Sequence, residues 1–205
     1  MVINNRGRAV MALYSYPACV LSHHVRFVLA IKGINVEIID VDADNPPEDL
    51  IQLNPGVDGP TMVDRDLVLY DTRIICEYLD ERYPHPPLMP VDPVTRARLR
   101  LAHSRVMQDW FSLAHQIEKE KDVENSVIAL QESLTTSAEL FSTKEFFLSD
   151  DFTMVDASIA VILWRLRKYG ISLPAQANAI MDYADKVFEL ESFQESLSDV
   201  EKEMR

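Results

Sequence analysis

Glycine is scarce in this chain, with 5 in 205 residues, and no glycine-rich loop is available to cradle a phosphate, so nucleotide binding has no support. Cysteine is scarcer still. Cys19 and Cys76 make no disulfide framework, which points to a reducing compartment. Together with the histidines they form no cluster of zinc-ligand spacing, so neither a metal nor a cofactor is expected. No apolar run approaches membrane-spanning length. Arg6 and Arg8 precede an apolar patch up to Cys19, as in a signal peptide, but Tyr14, Tyr16 and Pro17 interrupt the run and no small-residue cleavage site follows. A cytoplasmic protein without a membrane partner is expected.

Positive charge is also in deficit. Lys and Arg number 20 against 33 Asp and Glu, a net charge of −13. Such a surface repels nucleic-acid phosphate and favours basic protein partners. The best local basic site is Arg96, Arg98, Arg100 and Arg105, which fall on two helix faces. That arrangement suits salt bridges, including ones at a subunit interface, better than a DNA groove, and no direct sequence-specific DNA binding is expected.

Proline, by contrast, is concentrated. Five of the 11 prolines lie at 84, 86, 87, 90 and 93. Proline fixes φ and restricts the preceding residue, so this segment is expected to be extended and stiff. It places His85 between two prolines, beside the aromatic Tyr83 and the acids Asp80 and Glu81. A stiff segment loses little entropy on binding and makes a good docking surface.

The chain before these prolines reads β-α-β-α-β-β-α. Val10–Tyr14 reads as a buried strand. Ser22 is placed to cap a helix with Val25, Val28 and Leu29 on one face, and Gly33 stops it. Val36–Val41 is a second strand, parallel to the first because a helix joins them. Pro46–Leu53 is a short helix. Thr61–Val63 and Leu67–Tyr70 are strands around a hairpin at Asp64-Arg65-Asp66, and Asp71 caps a helix to about Tyr83. After Pro93 only helical patterns appear: Thr95–Lys121, Val123–Ser142, Val155–Tyr169, Ala179–Leu190 and Phe193–Met204. Thr153 and Asp156 form a capping box for the third of these, which is apolar almost all round in its first half and so belongs in the centre of a bundle. Trp110 and Trp164 lie on apolar stripes and are expected in the core. The predicted organisation is a thioredoxin-like α/β domain at 1–83, a proline-rich interdomain segment at 84–93 and an all-helical domain at 94–205.

This order, with Pro60 just before the third strand, resembles the glutathione transferase fold, in which the matching proline is cis and shapes the thiol site. More specific words narrow the resemblance. Asn45-Pro46-Pro47, Asp49-Leu50-Ile51, Leu53-Asn54-Pro55, the run Glu77–Val91, Phe147-Leu148-Ser149-Asp150, Leu163-Trp164-Arg165-Leu166 and Glu201-Lys202-Glu203-Met204-Arg205 are similar to the stringent starvation protein A family over nearly the whole chain. That resemblance implies a homodimeric regulator that associates with RNA polymerase holoenzyme and its housekeeping sigma factor in stationary-phase and stress responses, or in virulence gene control. It implies that Tyr83, Pro84, His85, Pro86 and Pro87 form the partner contact, and that the chain is not an enzyme.

The same fold offers an alternative, a glutathione-dependent transferase or thiol reductase. Cys19 stands where thioredoxin-like proteins keep a reactive thiol, since helix-start N–H groups stabilise a thiolate. It has no second cysteine nearby and lacks the proline that usually follows. Asp71-Thr72 occupies the place of the transferase Glu-Ser pair, where the acid holds an amino group and the hydroxyl a carboxylate; a plain helix cap explains Asp71 equally well. Asp58-Gly59 replaces the usual apolar residue before Pro60. Cys19, Pro60, Asp71 and Thr72 are therefore read as a vestigial thiol site. Adjacent on a helix, His23 and His24 point about 100° apart and make a poor metal pair, while His103 and His115 are too far apart for a local motif.

Overall fold

The structure, a computed structural model, describes residues 11–56 and 58–205; Arg6, Arg8 and the Val10 start of the first predicted strand lie outside them. Strand β1, Ala12–Ser15, is buried along its whole length. It pairs in parallel with β2, Glu37–Asp40, and antiparallel with β3, Thr61–Asp64, whose outer neighbour is β4, Leu67–Leu69. The sheet order is β2-β1-β3-β4. Arg65 takes a left-handed φ of 59° at the predicted hairpin. Between the strands run α1, Val20–Lys32, and α2, Glu48–Leu53; α3, Thr72–Arg82, follows β4. Gly33 ends α1 at φ 60°, and its N–H donates to Ala30 O at 3.0 Å.

Helix α1 departs from the expected pattern twice. Its N-cap is Cys19, three residues before Ser22, and the Ser22 hydroxyl instead accepts from the Tyr16 N–H at 3.0 Å. It is also buried nearly all round, His23, His24 and Arg26 included, because α3, α7 and α9 pack against it. The apolar stripe seen in the sequence is one side of a helix enclosed by both domains.

The second domain opens with α4, Pro93–Arg105, capped by Asp92, whose carboxylate accepts from the Thr95 N–H at 2.8 Å. The expected single helix Thr95–Lys121 is interrupted by a π-helical stretch, Val106–Phe111, before α5, Ser112–Glu118. A π turn shifts the helical register. Here it lies where Trp110 donates to Ser133 Oγ at 2.8 Å and Phe111 packs against His24. Then come α6, Val123–Thr136, and α7, Met154–Trp164. All of α7 is buried, and both halves of its capping box are present. Asp156 accepts from Thr153 N at 2.8 Å, Phe147 N at 2.8 Å and Tyr183 OH at 2.7 Å, so the buried carboxylate is well supplied with donors.

Helix α8 spans Asn178–Phe188. The single helix expected over Phe193–Met204 is two, α9 (Glu191–Ser196) and α10 (Asp199–Lys202), broken where Leu197 is extended and Ser198 caps α10 in a box with Glu201. The break lets Glu201 turn inward to the domain junction, where it is completely buried.

Candidate functional site

The proline segment leaves α3 at Tyr83, whose N–H still donates to Leu79 O at 3.0 Å. Pro84, His85, Pro86 and Pro87 are exposed, and Leu88 is buried. Polar contacts tie the base of this loop. The buried Lys32 ammonium donates to Asp80 Oδ1 at 2.6 Å and to Pro86 O at 2.5 Å. Asp80 Oδ1 also accepts from Leu88 N at 2.9 Å, and Leu88 O accepts from Met154 N, the first residue of α7, at 2.8 Å. Farther along, Arg96 Nε donates to Pro90 O at 2.7 Å. The backbone is fastened to both domains while four consecutive side chains face outward. Asp80 is thus spent on the interior, and of the two nearby acids only Glu81 contributes to the surface, 4.0 Å from Arg100.

Among the described residues the cis peptide bond is His85–Pro86; the Gly59–Pro60 bond, for which the transferase pattern implies cis, is not. Pro60 lines a small hollow of about 180 Å³ together with Asp71, Thr72, Tyr70 and Leu21. Asp71 caps α3 there, accepting from Arg73 N at 2.9 Å and pairing with the Arg73 guanidinium at 3.2 Å. Partial burial opposes its ionisation, but the Arg73 contacts prevail and hold its carboxyl below the usual range. Its acceptors are already engaged by its own helix.

Cys19 does not line that hollow. It faces a larger cleft between the domains, about 940 Å³, bordered also by Tyr16, Asp58, His115, Glu118 and Lys119. Glu118, at the end of α5, reaches the start of α1 and accepts from the Val20 N–H at 3.0 Å. One helix-start donor is thus taken by a carboxylate, while the Leu21 and Ser22 N–H groups still favour a Cys19 thiolate. Burial, and then that carboxylate, push the Cys19 thiol above its ordinary pKa. Cys76 is sealed in the core, and burial above all pushes its thiol far above its ordinary pKa.

Around Glu118 the junction carries an ion network invisible in local sequence. Arg165, completely buried beyond the end of α7, donates through Nε to Glu118 Oε1 at 3.0 Å, through Nη1 to His23 Nδ1 at 2.7 Å and through Nη2 to Glu201 Oε1. Arg26 donates to Glu201 Oε2 at 2.5 Å, Ser196 O at 3.0 Å and Ser15 Oγ at 2.6 Å. Two guanidiniums face two carboxylates, and further donors meet the neutral His23 nitrogen and neutral oxygens. His23 accepts at Nδ1, so its proton belongs on Nε2, 3.0 Å from Ser196 Oγ. Burial, then Arg165 and Arg26, keep it neutral. His24 meets the opposite environment: its ring stands 5.8 Å from His103 and 5.4 Å from Phe111, with neither nitrogen hydrogen-bonded.

The structure also gathers what sequence spacing kept apart. Cys19, His115 and Glu118 each offer a donor atom within 4.8 Å of the other two. The expectation of no metal rested on local spacing, and this group spans roughly a hundred residues of chain. Its one local signal is the i, i+3 pairing of His115 and Glu118 on α5.

Residues 13–87 match the glutathione S-transferase N-terminal domain family and residues 101–191 the glutathione S-transferase C-terminal domain family. Among solved structures, the chain is similar to the omega 3C glutathione transferase of Trametes versicolor, with TM-score 0.78 and 23% identity over 95% of this chain and 87% of that one. It is similar also to the theta-class transferase of Xanthomonas axonopodis pv. citri, with TM-score 0.80 and 16% identity over 92% and 97%. At these identities the likeness is one of fold. Sequence relatives are closer: a stringent starvation protein A homolog of Coxiella burnetii is 47% identical over 97% of this chain and 96% of its own length, and one of Haemophilus ducreyi is 43% identical over 96% and 94%. With thioredoxin-like and helical halves in the transferase arrangement and that level of full-length identity, the chain belongs to the stringent starvation protein A family.

Proposed function

We propose that this protein is a cytoplasmic transcription regulator that associates, as a homodimer, with RNA polymerase holoenzyme containing the housekeeping sigma factor, in stationary-phase and stress gene control, and that it lacks glutathione transferase activity. The contact surface is Tyr83, Pro84, His85, Pro86 and Pro87. The observation that carries this reading is the exposure of four successive side chains, Pro84 to Pro87, on a backbone tied to both domains. Such an epitope is ordered before it binds, so little conformational entropy is lost on docking. The acidic charge of the chain favours a protein partner over DNA. Against catalysis stand the Glu118 carboxylate on the α1 amide and the Asp71 carboxylate turned to its own helix.

The test is retention of polymerase holoenzyme on the immobilised protein. Replacing Pro84, His85 and Pro86 together by alanine is expected to abolish retention. Loss of the two prolines changes stability by on the order of 1 kcal/mol or less each, so the melting temperature stays near the parent value. Undiminished retention by a folded triple variant would reduce the segment to a linker.

One observation favours a second reading. Cys19 opens onto a cleft of about 940 Å³, large enough for a thiol substrate. Turnover of glutathione with a standard electrophile that disappears in Cys19→Ser would establish this transferase or reductase reading in place of the first.

A further inference from the structure

We propose that Cys19, His115 and Glu118 form a divalent-metal site of the zinc type, with a fourth coordination position open to the interdomain cleft. The proposal is independent of the polymerase reading.

Two elements supply the donors. Cys19 is the N-cap of α1; His115 and Glu118 sit three residues apart on α5, hence on one face. The donor atoms lie within 4.8 Å of one another. Zinc bonds of about 2.0–2.3 Å in tetrahedral geometry require donors about 3.3–3.5 Å apart. Small side-chain rotations about an ion close that difference.

The histidine is already oriented. Its Nε2 lies 3.1 Å from Asp58 Oδ2, while its Nδ1 is buried and has no hydrogen-bond partner. The carboxylate places the proton on Nε2 and leaves the Nδ1 lone pair free to ligate. A carboxylate behind a metal-ligating histidine is the usual supporting contact. Asp58 is itself fixed by an ion pair with Lys119. Glu118 is held in the same manner: Oε1 accepts from Arg165 and from Tyr169 OH at 2.9 Å, and Oε2 accepts from Val20 N at 3.0 Å. All three donor residues line the interdomain cleft.

The chemistry of the set selects the ion. Sulfur, imidazole nitrogen and one carboxylate oxygen suit zinc better than magnesium or calcium, which take oxygen ligands. The thiolate offsets one unit of the cation's charge, and the Glu118 carboxylate, already paired with Arg165, contributes an oxygen lone pair. On binding, the Cys19 S–H bond breaks, its proton leaves to solvent, and a metal–sulfur bond forms without any change of oxidation state. Three protein ligands leave the fourth position to water or to a group entering the cleft.

The test uses the untagged full chain, stripped with chelator and titrated with Co²⁺ as a spectroscopic stand-in for Zn²⁺. The expected result is one equivalent bound, with thiolate-to-cobalt charge-transfer absorption that Zn²⁺ abolishes. Cys19→Ser removes that absorption and Cys76→Ala keeps it. Asp58→Asn leaves all three donors in place and weakens Co²⁺ binding about 10–100-fold. Circular dichroism checks each variant; should Cys19→Ser not fold, His115→Ala and Asp58→Asn carry the test. No charge-transfer absorption in the parent, its persistence in Cys19→Ser, or unchanged affinity in both His115→Ala and Asp58→Asn would overturn the proposal.

Discussion

His23 and His24 are neighbours on one helix and equally buried, yet they sit in opposite surroundings. His23 lies in a network that offers a partner to each ring nitrogen, while His24 stands among rings with neither nitrogen bonded. Both are forced neutral, His23 by burial and two guanidiniums, His24 by burial and the adjoining His103. On the His23 side polar groups compensate one another, so removing any one leaves its partners stranded. On the His24 side desolvation goes uncompensated, so removing the polar group relieves a cost. One helix thus divides the domain junction into a part that specifies its partners and a part that merely excludes water.

The comparison breaks most severely at Arg165. Arg165→Met keeps much of the bulk but leaves Glu118 without its buried guanidinium and Glu201 with Arg26 alone. Loss of one partner from a buried pair costs about 3–5 kcal/mol. Urea or thermal unfolding is expected to show a loss of that size; a change below about 1 kcal/mol would mean that the network is solvated.

Acid sharpens the contrast. His103 is lowered to about 4, mainly by burial and then by Arg73, and His24 is lowered well below its ordinary value. Their folded pKa values lie below the unfolded value of about 6.5, so the unfolded chain binds more protons in between. Stability is therefore full above about pH 6.5 and falls as pH drops toward about 4, where His103 begins to protonate in the folded state. The His103 contribution to this fall is about 3 kcal/mol. The double variant His24→Leu/His103→Leu is expected to have a shallower decline over the same window, measured by melting at a series of pH values. An unchanged slope would place the acid sensitivity elsewhere.

The smallest effect is a pair of single substitutions. His23→Leu strands Arg165 Nη1 and Ser196 Oγ and is expected to destabilise by about 1–3 kcal/mol. His24→Leu strands nothing and is expected to be neutral or slightly stabilising. Equal losses in the two variants, read from denaturant midpoints, would erase the distinction.

The parts of this molecule legible in sequence are those whose causes are local. The Asp64-Arg65-Asp66 hairpin, the Gly33 stop, the Asp71 cap and the Thr153/Asp156 box each depend on residues a few positions apart, and each is found where expected. The all-round burial of α1 was not legible. The sequence shows only the stripe of Val25, Val28 and Leu29, and the partners of the helix's polar residues lie far along the chain, Arg165 being 142 residues beyond His23. For the same reason the split of the last predicted helix was hidden: Ser198 is an ordinary cap, but the need to turn Glu201 inward comes from arginines elsewhere. In the candidate site, the composition of the Pro84–Pro87 surface was plain, whereas the role of Asp80 as an internal clamp was not, because Lys32 is 48 residues away. Cys19 was found by its place at a helix start; Glu118, which sets its environment, lies 98 residues beyond Val20.

The long separation within the ion network also bears on synthesis. Translation produces Arg26 175 residues before Glu201, the carboxylate that neutralises it. Throughout elongation the nascent first domain carries a guanidinium meant for the interior and no acid from α10 to meet it. The two domains acquire balanced charge at their boundary only after α10 has been made.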